Sequence, residues 1–320
     1  MKKFITLIFA CCILVQWSQA QEEAVLMHYQ INPLLINPAT AGFDAEHHKL
    51  FINTRTQWTG FPGAPKTYSV SYNGPIGKRL GIGALLYAES IGNVSSYRAQ
   101  LSYAFRYDIE NRGLSFALGL STEFHEMRLN NSSLDNPLYD AGDDVVGDAE
   151  EGVKAFDASL GFTGSYKKNT YFGIALPNLI RNRLDNIGVD STSNSFIQYF
   201  TLHAGHKFVI SNSLTVEPSF LLKKVRNVPF QYDINLKASF LNEKLIGGVS
   251  YRATTGNLAG LPEQLDGVSS FGVLIGTKYQ ALRFFYSYDV FLDEFQSFNG
   301  GSHEITIGFE FGRSDKNKNK

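Results

Sequence analysis

The chain has 320 residues, and its formal net charge is −1, or −3 without Lys2 and Lys3. So weak a charge argues against nucleic acid as a partner. The only two cysteines, Cys11 and Cys12, lie near the N-terminus, inside the segment that we expect to be removed, so the mature chain has no disulfide and no cysteine metal site. With 16 Tyr, 25 Phe and 29 Gly against 2 Trp, 3 Met and 10 Pro, the composition favours aromatic strands punctuated by glycine.

Residues 1–20 have the features of a secretory signal peptide. Lys2 and Lys3 precede an apolar run from Phe4 to Val15, and Ser18-Gln19-Ala20 supplies the small-x-small cleavage pattern. The run is shorter than the roughly 20 residues of a helical membrane span. We therefore expect cleavage near Ala20/Gln21 and export. A lipoprotein signal ending at Cys11 or Cys12 is the weaker alternative, because it would truncate the apolar run.

Two proline-containing stretches flank the first predicted strand. Asn32-Pro33 and Asn37-Pro38 lie in residues 21–47, which we predict to be a periplasmic lead-in. Residues 55–65 follow the strand. Because proline prevents regular strand pairing, these stretches are either an ordered lead-in and a rigid external loop, or a periplasmic plug and a partner-docking loop.

From residue 48 to residue 312 the sequence alternates apolar and polar residues with a period of two, which indicates strands. Over the clearest of these strands, Leu114, Phe116, Leu118 and Leu120 alternate with small residues. The predicted strands are near 49–56, 67–73, 80–87, 96–107, 114–125, 156–167, 170–176, 196–208, 214–224, 231–240, 245–252, 270–278, 282–289 and 303–311. Residues 313–320 are predicted to be a short charged tail.

The placement of charge and the lengths of the links favour a membrane barrel over a soluble β-sandwich. Charged residues such as Arg98, Glu123 and Glu304 fall on the polar phase of their strands, as a lipid-facing sheet requires. Short links, such as 108–113 and 167–169, alternate with longer ones, such as 57–66, 88–95 and 127–154, and outer-membrane barrels show this alternation. We predict a transmembrane antiparallel up-and-down β-barrel of the outer membrane with about 14 strands.

No motif for catalysis, a cofactor or a metal is found in the sequence. His47 and His48 are adjacent, so on a strand they point to opposite faces, and His203 and His206 have the wrong parity to share one. Nucleophile-elbow, zinc-protease and phosphate-loop patterns do not occur. We therefore predict a protein that is not an enzyme. The acidic residues of the segment 127–154 could attract calcium, but a solvated external loop accounts for them better.

Motifs along the whole mature chain resemble the PorP/SprF family of outer-membrane proteins associated with type IX secretion and gliding motility. The resemblance is carried by Tyr29 to Ala39 and Arg55-x-Gln57-Trp58, and then by 218–223, 231–235, 247–252, 286–289 and 301–305. It implies a non-enzymatic barrel that supports export and surface attachment of a specific secreted adhesin or other cargo. The partners it implies are that cargo, other secretion-system components and outer-membrane lipid.

We expect a partner-facing patch at Arg55, Gln57 and Trp58, where an arginine and an aromatic residue at the edge of a strand could anchor an interface. The candidate set also includes Asn32, Pro33, Asn37 and Pro38 of the lead-in. An alternative makes Trp58 a membrane-interface residue and Arg55 a charge in the lumen. A porin and, less favoured, a barrel-wall enzyme remain alternatives for the whole chain. A barrel of this size has a lumen that something must fill, either the lead-in, the loop 127–154 or a cargo strand.

Overall fold

The computed structural model describes residues 26–129, 152–180, 199–225, 230–255, 269–292, 296–297 and 299–312. Strands make up 72% of the described residues. The strands are β1 (His47–Thr56), β2 (Lys66–Ile76), β3 (Leu80–Ile91), β4 (Val94–Ile109), β5 (Leu114–Leu129), β6 (Val153–Tyr166), β7 (Thr170–Leu176), β8 (Phe200–His206), β9 (Phe208–Ser211), β10 (Leu214–Lys224), β11 (Phe230–Phe240), β12 (Leu245–Thr255), β13 (Ser269–Tyr279), β14 (Leu282–Phe291) and β15 (Ser302–Gly312). The short 3-10 helices are η1 (Met27–Gln30), η2 (Pro33–Leu35), η3 (Pro38–Thr40) and η4 (Glu110–Arg112).

The strands form one closed antiparallel sheet in which strands adjacent in sequence pair with each other, except for β8 and β9. The first and last strands close it, in a register that runs from His47 opposite Gly312 to Thr56 opposite His303. β8 and β9 both pair with β10 and are separated only by Lys207, so they form one interrupted strand. The barrel therefore has 14 strands, and the predicted fold class is confirmed.

The two faces of the wall follow the alternation of the sequence. On β5, Leu118 is 56% exposed on the outer face, whereas Ser121 on the inner face is fully buried. The apolar outer band runs from Tyr97 to Tyr107 on β4 and from Phe156 to Tyr166 on β6. At the rise of a tilted strand, this is about 25 Å, the height of the apolar band of outer-membrane barrels.

The two ends of the barrel differ in the length of their connections. At the end where β1 starts and β15 finishes, the strands are joined by links such as 77–79, 167–169 and 280–281. Because short turns and both termini lie at the periplasmic end of bacterial barrels, we assign this end to the periplasm and the other to the cell exterior. No helix within the described part of the chain is long and apolar enough to span a membrane.

One predicted long link is wrong. Residues 88–95 were expected to form an external loop, but β3 and β4 continue to Ile91 opposite Val94, and only Gly92 and Asn93 join them. Gly92 has a φ of 55°, which a two-residue hairpin needs and which glycine adopts without strain. The Gly-Asn pair was the sequence signal for this tight turn.

Candidate functional site

The described part of the lead-in lies inside the barrel, where it crosses the lumen from the external half toward the periplasmic end. Met27 is 3% exposed, Leu34 2% and Ala39 fully buried. Met27 packs with Ile246, Leu274 and Phe285 of the wall in a small apolar core. Of the three candidates for filling the lumen, the structure places the lead-in there. We call residues 26–43 the plug.

The external end of the plug is fixed by Glu304 of β15. The Glu304 carboxylate accepts hydrogen bonds from the backbone N–H groups of Met27 (2.8 Å) and His28 (3.1 Å). It also accepts from the side chains of Asn53 (2.8 Å) and Arg55 (3.1 Å) on β1. This one buried carboxylate therefore joins the plug to both strands that close the barrel.

The repeated Asn-Pro pairs fix the middle of the plug. Pro33 and Pro38 each start a 3-10 helix, a position that needs no N–H donor. The Asn32 side chain donates to the Ser71 hydroxyl of β2 (2.7 Å). The Asn37 side chain caps η3 by accepting from Ala39 N (2.9 Å), and it donates to the Phe162 carbonyl of β6 (3.0 Å). These four predicted site residues therefore lie in the plug, and both asparagines bind the wall.

Inward-facing glycines make room for the plug. A Cβ atom on Gly119 would lie 2.4 Å from the Cα of Ala39, and one on Gly161 would lie 2.1 Å from Oδ1 of Asn37. A Cβ atom on Gly81 would similarly lie 2.0 Å from the carbonyl oxygen of Ala41. These glycines are not among the predicted site residues. Their signal was a glycine on the polar phase of a strand, where close backbone approach is one reason for glycine.

The titratable side chains of the plug are held neutral. Burial lowers the pKa of His28 and outweighs the opposing effect of the nearby Glu304 carboxylate. Burial, together with Asp233, raises the pKa of the Tyr29 hydroxyl well above its usual value. Tyr29 accepts a hydrogen bond from the Asn235 side chain at 2.8 Å. The plug thus brings no net side-chain charge into the lumen at neutral pH.

Charges of the wall that face the lumen are paired with one another. Arg55 lies 2.7 Å from Asp289 as well as beside Glu304. Arg252 binds Asp233 through two nitrogens, at 2.9 and 2.7 Å. Buried charges are tolerated when they are compensated in this way. These ion pairs therefore have a structural role. The hydroxyls of Ser121 and Ser159 donate hydrogen bonds to the Glu123 carboxylate and not to a histidine.

Asp44, His47 and Glu310 lie together at the periplasmic rim, with potential metal-ligand atoms within 4.8 Å of one another. His47 Nδ1 lies 3.2 Å from Asp44 and 3.6 Å from Glu310. Lys49 is 2.8 Å from the same Asp44 oxygen, and Arg283 is paired with Glu310. Burial alone would raise the pKa of Asp44, but Lys49 and the surrounding hydrogen bonds lower it to about 2. The carboxylates are already neutralised by cations, so this cluster fits an ion-pair network better than a cation site.

The three residues of the predicted partner patch do not lie together in the structure. Arg55 is 4% exposed inside the lumen, while Gln57 and Trp58 lie in the external loop 57–65. The Trp58 ring lies 6.2 Å from that of Phe291. Thr59 exchanges backbone hydrogen bonds with Gly300 and Gly301 (2.7 and 2.9 Å), which ties this loop to the β14–β15 connection.

Phe61, which is not among the predicted site residues, is 45% exposed on the loop 57–65. Most of the acidic segment considered for calcium, residues 130–151, lies outside the described residues.

Comparison with known proteins returned many solved barrels and one family. Omp33 of Acinetobacter baumannii is 9% identical over 84% of this chain and 98% of its own, with a TM-score of 0.45. A FadL homologue of Pseudomonas aeruginosa is 10% identical over 86% and 91%, with a TM-score of 0.48. The TodX monoaromatic hydrocarbon channel is 12% identical over 87% and 93%, with a TM-score of 0.49. These values support no conclusion about function.

No curated protein matches the chain significantly. The family match, by contrast, extends over residues 18–309. The matched region includes the plug, the inward-facing glycines that make room for it and the strands that close the barrel. The chain belongs to the PorP/SprF family of type IX secretion system membrane proteins.

Proposed function

We propose that, after removal of residues 1–20, the chain is a non-enzymatic outer-membrane barrel that supports export and surface attachment of one specific type IX cargo. Membership of a secretion-system family provides the setting. The observation that carries the proposal is the plug, because a lumen filled by the protein's own chain leaves the external surface as the place for partners. The periplasmic origin of residues 21–47 and the bounds of the barrel at 48 and 312 are part of the same proposal.

The plug also counts against the alternative of a passive porin. Porins of sixteen or more strands leave an aqueous channel. Here the lumen side of the wall is in contact with the plug at Ser71, Phe162 and Asn235, on widely separated strands. The contacts at Ser71 and Asn235 are buried, so their donors and acceptors would lose their hydrogen-bond partners if the plug moved out.

The external loop 57–65 is the cargo-facing surface that we favour. It is ordered through its bonds to Gly300 and Gly301 and through a bond from Gly92 N to the Gly63 carbonyl (2.9 Å). An ordered loop loses less conformational entropy on binding than a flexible one. Gln57, Trp58 and the exposed Phe61 supply an amide and two aromatic rings, and aromatic residues are frequent binding hot spots.

Deletion of the gene tests the proposal. We expect surface display of one or a few type IX cargoes to stop while general secretion continues, as measured by surface proteomics. The purified barrel should show no sustained conductance in planar bilayers. An unchanged surface proteome together with steady conductance would favour the porin.

Alanine substitution locates the contact. Trp58→Ala with Phe61→Ala should reduce cargo display while the level of folded barrel in the membrane is unchanged. Tyr279→Ala is the matched control, since Tyr279 is an aromatic residue that is 71% exposed at the periplasmic end. Loss of the barrel itself would instead make the loop residues structural.

A further inference from the structure

A groove on the lipid-facing surface of the barrel lies across β2 to β6. Its volume is about 480 Å³, within the usual range of small-ligand sites. The outward side chains that line it are Val70, Tyr72, Leu86, Leu101, Phe124 and Phe156. Two small residues create the depression, because Ala84 pairs with Tyr72 and Leu101, while Ala99 pairs with Leu86 and Phe124.

Two cations stand directly above this groove on the same outer face. Phe124 and Phe156 are opposite each other in the register of β5 and β6, and the next outward pair on those strands is Glu126 opposite Lys154. Arg128 follows on β5. The side chains of Arg128 and Lys154 are 49% and 56% exposed. Lys154 is one outward step, about 7 Å, above Phe156, and Arg128 is two steps, about 13 Å, above Phe124, so the long side chains of both cations can extend toward the rim of the groove.

The height of the cations sets the kind of ligand. Phe124 and Phe156 are at the external edge of the apolar outer band, so Lys154 and Arg128 are at the depth of the lipid headgroups of the outer leaflet. Glu126 forms ion pairs with both cations. Its Oε1 lies 2.5 Å from Nη2 of Arg128 and 3.8 Å from Nζ of Lys154. Among the described residues, Glu126 is the carboxylate that contacts these two cations, so the three side chains together carry one net positive charge above the apolar groove.

We propose that this surface binds a phosphorylated, acylated lipid of the outer leaflet, the lipid A part of lipopolysaccharide. A phosphate binds Arg128 and Lys154, and an acyl chain occupies the groove below. Arginine recognises phosphate through paired N–H groups, and basic residues at a membrane surface attract anionic headgroups. The alanines make room for the chain, and the aromatic rings of Phe124 and Phe156 flank its upper part.

A closed barrel that stays folded in a denaturing gel migrates differently from the heated, unfolded chain, a property called heat modifiability. The test measures the temperature of this conversion, the heat-modification temperature, for the purified, detergent-solubilised barrel during titration with bisphosphorylated lipid A. We expect lipid A to raise this temperature in the unchanged protein. Removing both cations, R128Q with K154Q, should weaken the apparent affinity by about five-fold for each cation. Filling the groove with Ala99→Phe should weaken binding without any change of charge. Lys224→Gln is the control, because Lys224 ends β10 on the outer face away from the groove.

Three outcomes would overturn the proposal. Equal affinity of the unchanged protein and the double variant would remove the role of the cations. Equal binding of dephosphorylated lipid A would remove the role of the phosphate. Phosphatidylglycerol binding as tightly as lipid A would assign the site to glycerophospholipids rather than to the outer leaflet glycolipid.

Discussion

Glu304 shows how a single buried carboxylate can organise the lumen. It accepts hydrogen bonds from two backbone N–H groups of the plug and from two side chains of β1. Arg55 in turn bridges Glu304 and Asp289. An isolated charge in such a place would be very costly, and it is tolerated here because donors from both the plug and the wall surround it.

Glu304→Gln should therefore destabilise the barrel markedly. The substitution preserves the shape of the side chain but removes the charge opposite Arg55, and breaking a buried pair in this way costs about 3–5 kcal/mol. Denaturant unfolding in detergent micelles measures the change. Glu46→Gln is the control, since the Glu46–Lys168 pair is exposed and its loss should cost no more than about 1 kcal/mol. Equal stability of the two variants would contradict the central role of Glu304.

At the scale of elements, the plug depends on glycines of the wall as well as on its own sequence. Gly119→Leu should displace the plug, because even a Cβ atom would overlap the backbone of Ala39. We expect faster hydrogen exchange in residues 26–43 and a measurable conductance, while the barrel keeps its heat-modifiable migration. Gly247→Leu is the control, because nothing lies within 4 Å of a Cβ at Gly247. Unchanged exchange in the Gly119 variant would mean that the wall can yield there.

The strands could be predicted from the sequence, but the path of the plug could not. Alternation with a period of two records which face each strand residue occupies, as for Leu118 and Ser121 on β5. The plug has no such period. Its contacts join residues far apart in sequence, such as Asn37 with Phe162 and Met27 with Glu304. For the same reason Arg55 could be assigned to the lumen only as one of two alternatives, and its two carboxylate partners were not identifiable.

At the scale of the whole molecule, the barrel separates two environments. Charges such as Arg55, Glu123 and Asp233 are buried on the inner face, where partners compensate them. The outer face carries an apolar band about 25 Å high, the height expected for the hydrocarbon-facing zone of such barrels. The plug completes this separation because it occupies the space that the wall encloses. Both faces of the wall are thus buried in the membrane, one against protein and one against lipid.

The position of the band predicts how the cost of a charge varies with depth. Leu118 and Leu114 are both on the outer face of β5, the first near the middle of the band and the second at its periplasmic edge. Leu118→Arg should cost about 2–4 kcal/mol and Leu114→Arg about 0–1 kcal/mol. Reversible unfolding from lipid vesicles measures both free energies. Because the two variants have the same strand, face and chemistry, the difference between them reports depth alone. Equal costs would mean that this face of β5 does not cross the bilayer at the depth assigned to it.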